Sequence, residues 1–193
     1  MNKLKKYIYF FIIILIPIFS YAGWFSGSRS DMGRFIVSSG CTKDTGTLVM
    51  DDSSFVNTGS QSMNTNAIGQ SISYGSDWSL YSIELEFNNN SNCVASVRIG
   101  NSADLSTYME EWNSVSIADG NTVHEFISID NDSYSSSTTY YIGVIEVSGT
   151  CYLRYDGNNP YANGSSIYIG SSGWNMGTAD TNRDFKVSVY KCQ

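Results

Sequence analysis

The chain has 193 residues, with 18 acidic against 11 basic side chains and a formal net charge of −7. Such an acidic chain has no basic surface with which to displace counterions from a phosphate backbone, so nucleic acid is excluded as a partner class. One histidine and four cysteines without a C-x-x-C pair also argue against a zinc site.

Lys3, Lys5 and Lys6 precede an apolar run over residues 7–19, shorter than the roughly 20 residues of a membrane-spanning helix. Ser20, Tyr21 and Ala22 then place small residues where a signal peptidase reads, which predicts a signal peptide over 1–22 and cleavage before Gly23. No cysteine follows the cut, so no lipid anchor is expected. The product is an exported chain in the periplasm, on the cell surface or in the medium, with no membrane contact after cleavage. Loss of the three lysines leaves eight basic side chains against 18 acidic ones.

Residues 23–65 read as an N-terminal segment with short strands near 34–37 and 47–50 and a polar loop over 57–66, packed on a sandwich formed by 66–193. Strict alternation marks 79–87 as a strand with Tyr81, Ile83, Leu85 and Phe87 on its apolar face and Ser82, Glu84 and Glu86 on the other. After a turn at 88–92, Cys93, Ala95, Val97 and Ile99 alternate again, opposite Arg98. Leu105, Tyr108, Met109 and Trp112 fall at i, i+3, i+4 and i+7, which predicts one short helix over about 103–112, capped by Ser102. Further strands are expected at 123–129, 138–147, 150–155, 165–169 and 184–191. Many short strands separated by polar turns specify an all-β fold, an antiparallel two-sheet sandwich of jelly-roll type.

Four cysteines in an exported chain predict two disulfides, for which three pairings exist. Cys93 and Cys151 each open a strand on its apolar face, so the expected bonds are Cys93–Cys151 and Cys41–Cys192, the second clamping the N-terminal segment to the last strand.

Catalytic chemistry finds little material. His124 lies within a strand and no G-x-S-x-G elbow presents a nucleophile. Glu84 and Glu86 read as the solvent face of a strand, and Glu110 and Glu111 as the polar side of the helix. No enzyme activity and no cofactor are therefore expected. Asp130 and Asp132 in one turn, and Asp156 in another, are hard-oxygen candidates for a structural Ca²⁺, although Asp and Asn are also the ordinary turn formers. The aromatics Trp112, Tyr152, Tyr155, Tyr161, Tyr168 and Trp174 lie near loops or strand ends and offer flat faces with polar tips for a ligand. The stretch 150–168 concentrates them beside Cys151 and Pro160.

Several pieces together resemble a bacterial extracellular jelly-roll-like β-sandwich accessory domain of the carbohydrate-binding-module kind. They are Ile68, Gly69, Gln70 and Ser71, the 82–87 strand, and Thr138–Thr139–Tyr140–Tyr141–Ile142. The likeness continues through Tyr155, Asp156, Asn159, Pro160, Tyr161 and Gly164 to Asp184, Phe185, Lys186 and Val187. It covers about residues 66–191. The family usually has a tryptophan where Leu153 stands, and the cysteines and the 105–112 segment look like additions. The resemblance implies a non-catalytic accessory role in glycan binding or surface attachment. Two functions follow as expectations: a secreted binding module for a glycan or cell-surface ligand, or a structural or adhesive surface component acting by protein–protein contact.

Overall fold

The computed structural model describes residues 41–46, 48–49, 59–63, 67–158, 161, 164, 166–167, 173–177, 179–180 and 182–193. The expected signal peptide, the strand candidate at 34–37, and Asn159, Pro160 and Tyr168 lie outside the described residues.

Thirteen strands are found there. They are β1 (Gly59–Ser62), β2 (Ile68–Ile72), β3 (Trp78–Asn89), β4 (Cys93–Gly100), β5 (Glu110–Ile117), β6 (Gly120–Ile127), β7 (Ser133–Tyr134), β8 (Tyr140–Ser148), β9 (Tyr152–Asp156), β10 (Ser166–Ile167), β11 (Ala179–Asp180), β12 (Asp184–Phe185) and β13 (Val187–Lys191). All ladders are antiparallel. A six-stranded sheet runs β11-β10-β2-β8-β4-β5, and β1, β3, β6, β7, β9, β12 and β13 form a seven-stranded one. The chain changes sheet at most connections, as a jelly roll does.

β3 is the spine of the seven-stranded sheet. β6 lines one edge of it from Ser82 to Asn89, while β13 pairs with its first half and β9 meets it at Phe87. β12 fills the gap that opens between β3 and β9, and Lys186 bridges the two with amide and carbonyl bonds to Arg154 and Glu86. Ile83, Leu85 and Phe87 point inward, as alternation requires. Tyr81 does not follow: the register slips at Tyr190/Lys191, so Leu80 and Ile83 are both buried and Tyr81 is the half-buried residue between them. From the facing sheet Ile68, Ile72, Val97, Ile99, Ile142 and Val144 complete the core.

The expected helix is absent, and this corrects the reading of 103–112. Residues 102–106 form tight turns in which the Ser102 and Asp104 side chains accept the amides of Asp104 and Ser106. Residues 110–117 are β5. The helical spacing arose because Leu105 fills a separate small cluster with Ala67 and Met176, whereas Trp112 points into the main core. Glu110 takes the inward position two residues earlier, 5% exposed, so a buried carboxylate masked the strand's alternation.

Cys93–Cys151 ties β4 to the start of β9, with Cα atoms 5.6 Å apart, and Cys41–Cys192 ties the N-terminal segment to the end of β13 at 5.3 Å. Alongside the second bond Asp44 and Val49 donate their amides to Lys191 and Val189, so this segment borders the seven-stranded sheet. Such bonds form and persist in an oxidising compartment. Among the described residues no helix is long and apolar enough to cross a membrane.

Candidate functional site

Among the described residues the aromatic candidates are not brought together. Trp112 is a core residue, its indole N–H donating to the Ile127 carbonyl at 2.9 Å and its ring set edge-on to Phe126. Tyr161 is a structural plug: its amide donates to Asp184 Oδ2 at 2.7 Å and its hydroxyl to the Ser73 carbonyl at 2.8 Å. Burial pushes that hydroxyl above the usual tyrosine pKa. Gly164 lies against it, where an added Cβ would fall 2.0 Å from Ser71 O. Tyr152 and Tyr155 are half-buried on β9. The amide of Tyr152 donates to Asn89 Oδ1, and the ring of Tyr155 rests on Gly59 with the Arg183 guanidinium 4.8 Å from its centroid.

Trp174 alone joins a surface constellation, and its partners escaped sequence reasoning. Arg98 alternates with the inward Val97 and Ile99 and so projects from the outer face of the six-stranded sheet. Its guanidinium lies 4.2 Å from the ring centroid of Trp174 and equally 4.2 Å from that of Tyr108, a double cation–π contact. Nε and Nη2 both stand 2.7 Å from Glu111 Oε1, Nη1 donates to the Leu105 carbonyl at 2.9 Å, and the Tyr108 hydroxyl donates to Glu111 Oε2 at 3.1 Å.

Two loops build this group on the sheet. Leu105 donates its amide to Trp174 O and Met176 to Ala103 O, while the Leu105 side chain sits on Gly100 and Gly143, where a Cβ would approach to 2.9 and 2.5 Å. The result is an arginine neutralised by a carboxylate between two rings, with Tyr108 41% exposed. One signal was available in the sequence: Arg98 is a cation on the outward face of an otherwise apolar strand.

The acidic candidates are committed elsewhere. On the outer face of the seven-stranded sheet Lys43 stands 2.7 Å from both Glu84 and Glu125, and Glu86 is held by Arg154 and Lys186. Burial works against the Lys43 ammonium, but hydrogen bonds to Glu125 and Glu84 outweigh it and hold its pKa above the lysine range. His124 sits with its ring 4.8 Å from Phe126. Asp130 and Asp132 flank the turn that Glu110 holds through Ser128 Oγ (2.9 Å) and the Ile129 amide (2.6 Å). Asp156 accepts the Asn158 amide in its own turn. Among the described residues no three His, Cys, Asp or Glu side chains converge as metal ligands would.

Pieces that carried the family resemblance meet at one end of the sandwich. Gln70 of β2 donates to Asp184 Oδ1 at 2.7 Å and accepts the Phe185 amide at 3.0 Å, joining the sheets, while Tyr161 holds the other Asp184 oxygen. Asp156 lies opposite Asp184 in the β9–β12 pair. These positions therefore act in the fold. No family model matches the chain, and no curated protein matches it either.

Proposed function

We propose that the protein is an exported, non-catalytic binding module that takes a glycan or glycan-bearing cell-surface ligand on the outer face of its six-stranded sheet. The observation that carries this reading is the Tyr108–Arg98–Trp174 stack with Glu111 beside it. Ring faces stack on the C–H faces of sugars while neighbouring charged groups hydrogen-bond their hydroxyls. The Glu111 carboxylate balances the Arg98 charge, which favours a neutral sugar over an acidic one. Arg98 on β4 and Glu111 on β5 are fixed by the sheet, and the loops that carry Tyr108 and Trp174 are tied to each other by the Leu105–Trp174 and Met176–Ala103 backbone bonds. This suits recognition, since a preorganised surface loses less entropy on binding. The two disulfides and the leader-like N-terminus agree with export.

A glycan array followed by calorimetry tests it. Tyr108→Ala and Trp174→Ala are each expected to weaken binding by about tenfold or more, on the scale of one lost stacking contact. Tyr152→Ala, remote from the stack, leaves binding unchanged. No binding to any neutral polysaccharide, or binding indifferent to both substitutions in folded protein, discards the reading.

A further inference from the structure

The two disulfides sit in unlike surroundings. Cys93 and Cys151 are 3% and 0% exposed, set in the core between the sheets, and Asn89 donates a side-chain N–H to Cys93 Sγ at 3.3 Å. Cys41 and Cys192 are only half-buried. Cys192 lines a surface cavity of about 440 Å³ with Asp77, Trp78, Ser79 and Ser133. Cys93 borders a cleft as well, beside Asn92 and Ser148, but almost none of it is exposed there and its partner Cys151 is enclosed. Thiol–disulfide exchange starts when a thiolate attacks one sulfur of the bond, so access to that sulfur sets which bond can react.

What each bond holds also differs. Cys93–Cys151 joins strands that their own ladders fix, since β4 lies between β5 and β8, and β9 between β1 and β12. Cys41–Cys192 holds a segment outside any named strand. There Thr42 accepts the Gln193 amide, Asp44 donates its amide to Lys191 O, and Lys43 faces Cys192 as an isolated bridge. Lys43 reaches Glu84 and Glu125 and covers the Tyr190 ring, with Nζ 3.6 Å from its centroid. Ion pairs open to water hold a segment weakly by themselves. Val49 is different: 4% exposed and bonded through its amide to Val189 O, it anchors the far end of the segment in the core.

We infer that Cys41–Cys192 is a reducible latch, opened from this cavity by a dithiol of the thiol–disulfide oxidoreductase class while Cys93–Cys151 stays closed. One thiolate of the dithiol attacks Cys192 Sγ, the S–S bond breaks, and its electron pair leaves on Cys41, which takes up a proton. The second thiolate of the reductant then attacks the mixed disulfide, releases Cys192 as a thiol after protonation, and leaves the reductant oxidised to a disulfide. Two electrons and two protons pass to the protein. Residues 41–46 then come away from β13 with Val49 as the hinge, and Lys43 withdraws from Glu84, Glu125 and Tyr190. An acidic, tyrosine-bearing face of the seven-stranded sheet is uncovered. The latch is independent of the proposed glycan face, which lies on the other sheet.

Timed treatment of the folded, exported protein with dithiothreitol, followed by alkylation and peptide mapping, tests it. Cys41 and Cys192 are expected to label together, about tenfold or more faster than Cys93 and Cys151. Asp77→Asn keeps an oxygen for the Ser136 amide, which Asp77 Oδ1 accepts at 2.8 Å, and removes a negative charge from the path of the thiolate. It should speed opening by about twofold at low salt, whereas Ser133→Tyr, which fills the cavity, should slow it. The double variant Cys41→Ser, Cys192→Ser stands in for the opened form. It should keep its near-UV circular dichroism, with hydrogen exchange faster at the Asp44 amide and unchanged in β8. Both bonds opening at one rate, opening indifferent to Asp77→Asn and Ser133→Tyr, an unfolded serine pair, or unchanged exchange at Asp44 overturns the inference.

Discussion

Glu110 and Asp184 are two carboxylates sealed into the same sandwich, 5% and 0% exposed, and they differ in what their donors can do. Burial raises the pKa of each; two hydrogen bonds oppose that shift, and acidic neighbours add to it, Asp132 and Asp130 for Glu110 and Asp156 for Asp184. Glu110 faces a backbone amide and the Ser128 hydroxyl, which can rotate to accept instead of donate. Asp184 faces a backbone amide and the amide end of Gln70. Gln70 cannot flip, because its oxygen already accepts the Phe185 amide. One carboxylate thus sits in an adaptable socket and the other in a fixed one.

The largest expected effect comes from breaking the fixed socket. Asp184→Asn sets an amide donor against either Tyr161 N–H or the Gln70 amide, so one buried donor loses its acceptor, at about 1–3 kcal/mol. Urea unfolding should show that loss. Combining it with Gln70→Glu should recover most of it: the new carboxylate accepts both the Phe185 amide and the new amide, while the Asn oxygen keeps the Tyr161 bond. A double variant no more stable than Asp184→Asn alone would show that the two side chains do not act as a pair.

The contrast also explains what was legible in the sequence. Period-2 patterns over Ile83–Leu85–Phe87 and Val187–Val189 expose the inner faces of β3 and β13, because burial on one side acts locally on a strand. The same patterning sets Cys93 and Cys151 on inner faces, where their bond lies. Gln70 and Asp184 meet across 114 positions, a distance over which no local period runs, and only the family likeness picked out both. Arg98, Tyr108 and Trp174 come together from one strand and two loops. Trp174 was visible as an aromatic near a loop, but its partners were assigned to a strand and a helix that do not meet in sequence. β5 was misread because Glu110 breaks the apolar alternation from inside the core.

Between the two sockets in size is the effect of Tyr134, whose ring stacks on Trp78 at 4.2 Å. Its hydroxyl is buried without a hydrogen-bond partner among the described residues. Burial and the nearby Glu110 and Asp132 charges push its pKa up. Tyr134→Phe removes an unmatched polar group while keeping the ring, and should stabilise the protein by about 1 kcal/mol in chemical denaturation. A loss of stability instead would mean that a bound water satisfies the hydroxyl.

The smallest change tests the adaptable socket. With the folded pKa of Glu110 raised above its unfolded value of about 4.3, the folded state holds a proton that the unfolded chain has released. Its contribution to stability is then fully present below the unfolded pKa and declines as pH rises toward the folded one, where the slope ends. Glu110→Gln keeps an oxygen for the Ile129 amide and offers its own amide to Ser128 Oγ once the hydroxyl turns. It should therefore equal or slightly exceed the parent in stability at neutral pH and flatten the decline in this window. Asp184→Asn is destabilised at every pH by its stranded donor. Melting curves from pH 3 to 8 on both variants separate the sockets: a Glu110→Gln protein as damaged as Asp184→Asn would show that the Ser128 hydroxyl is as fixed as the Gln70 amide, with the bond it receives from the Asn131 amide at 3.0 Å as the restraint.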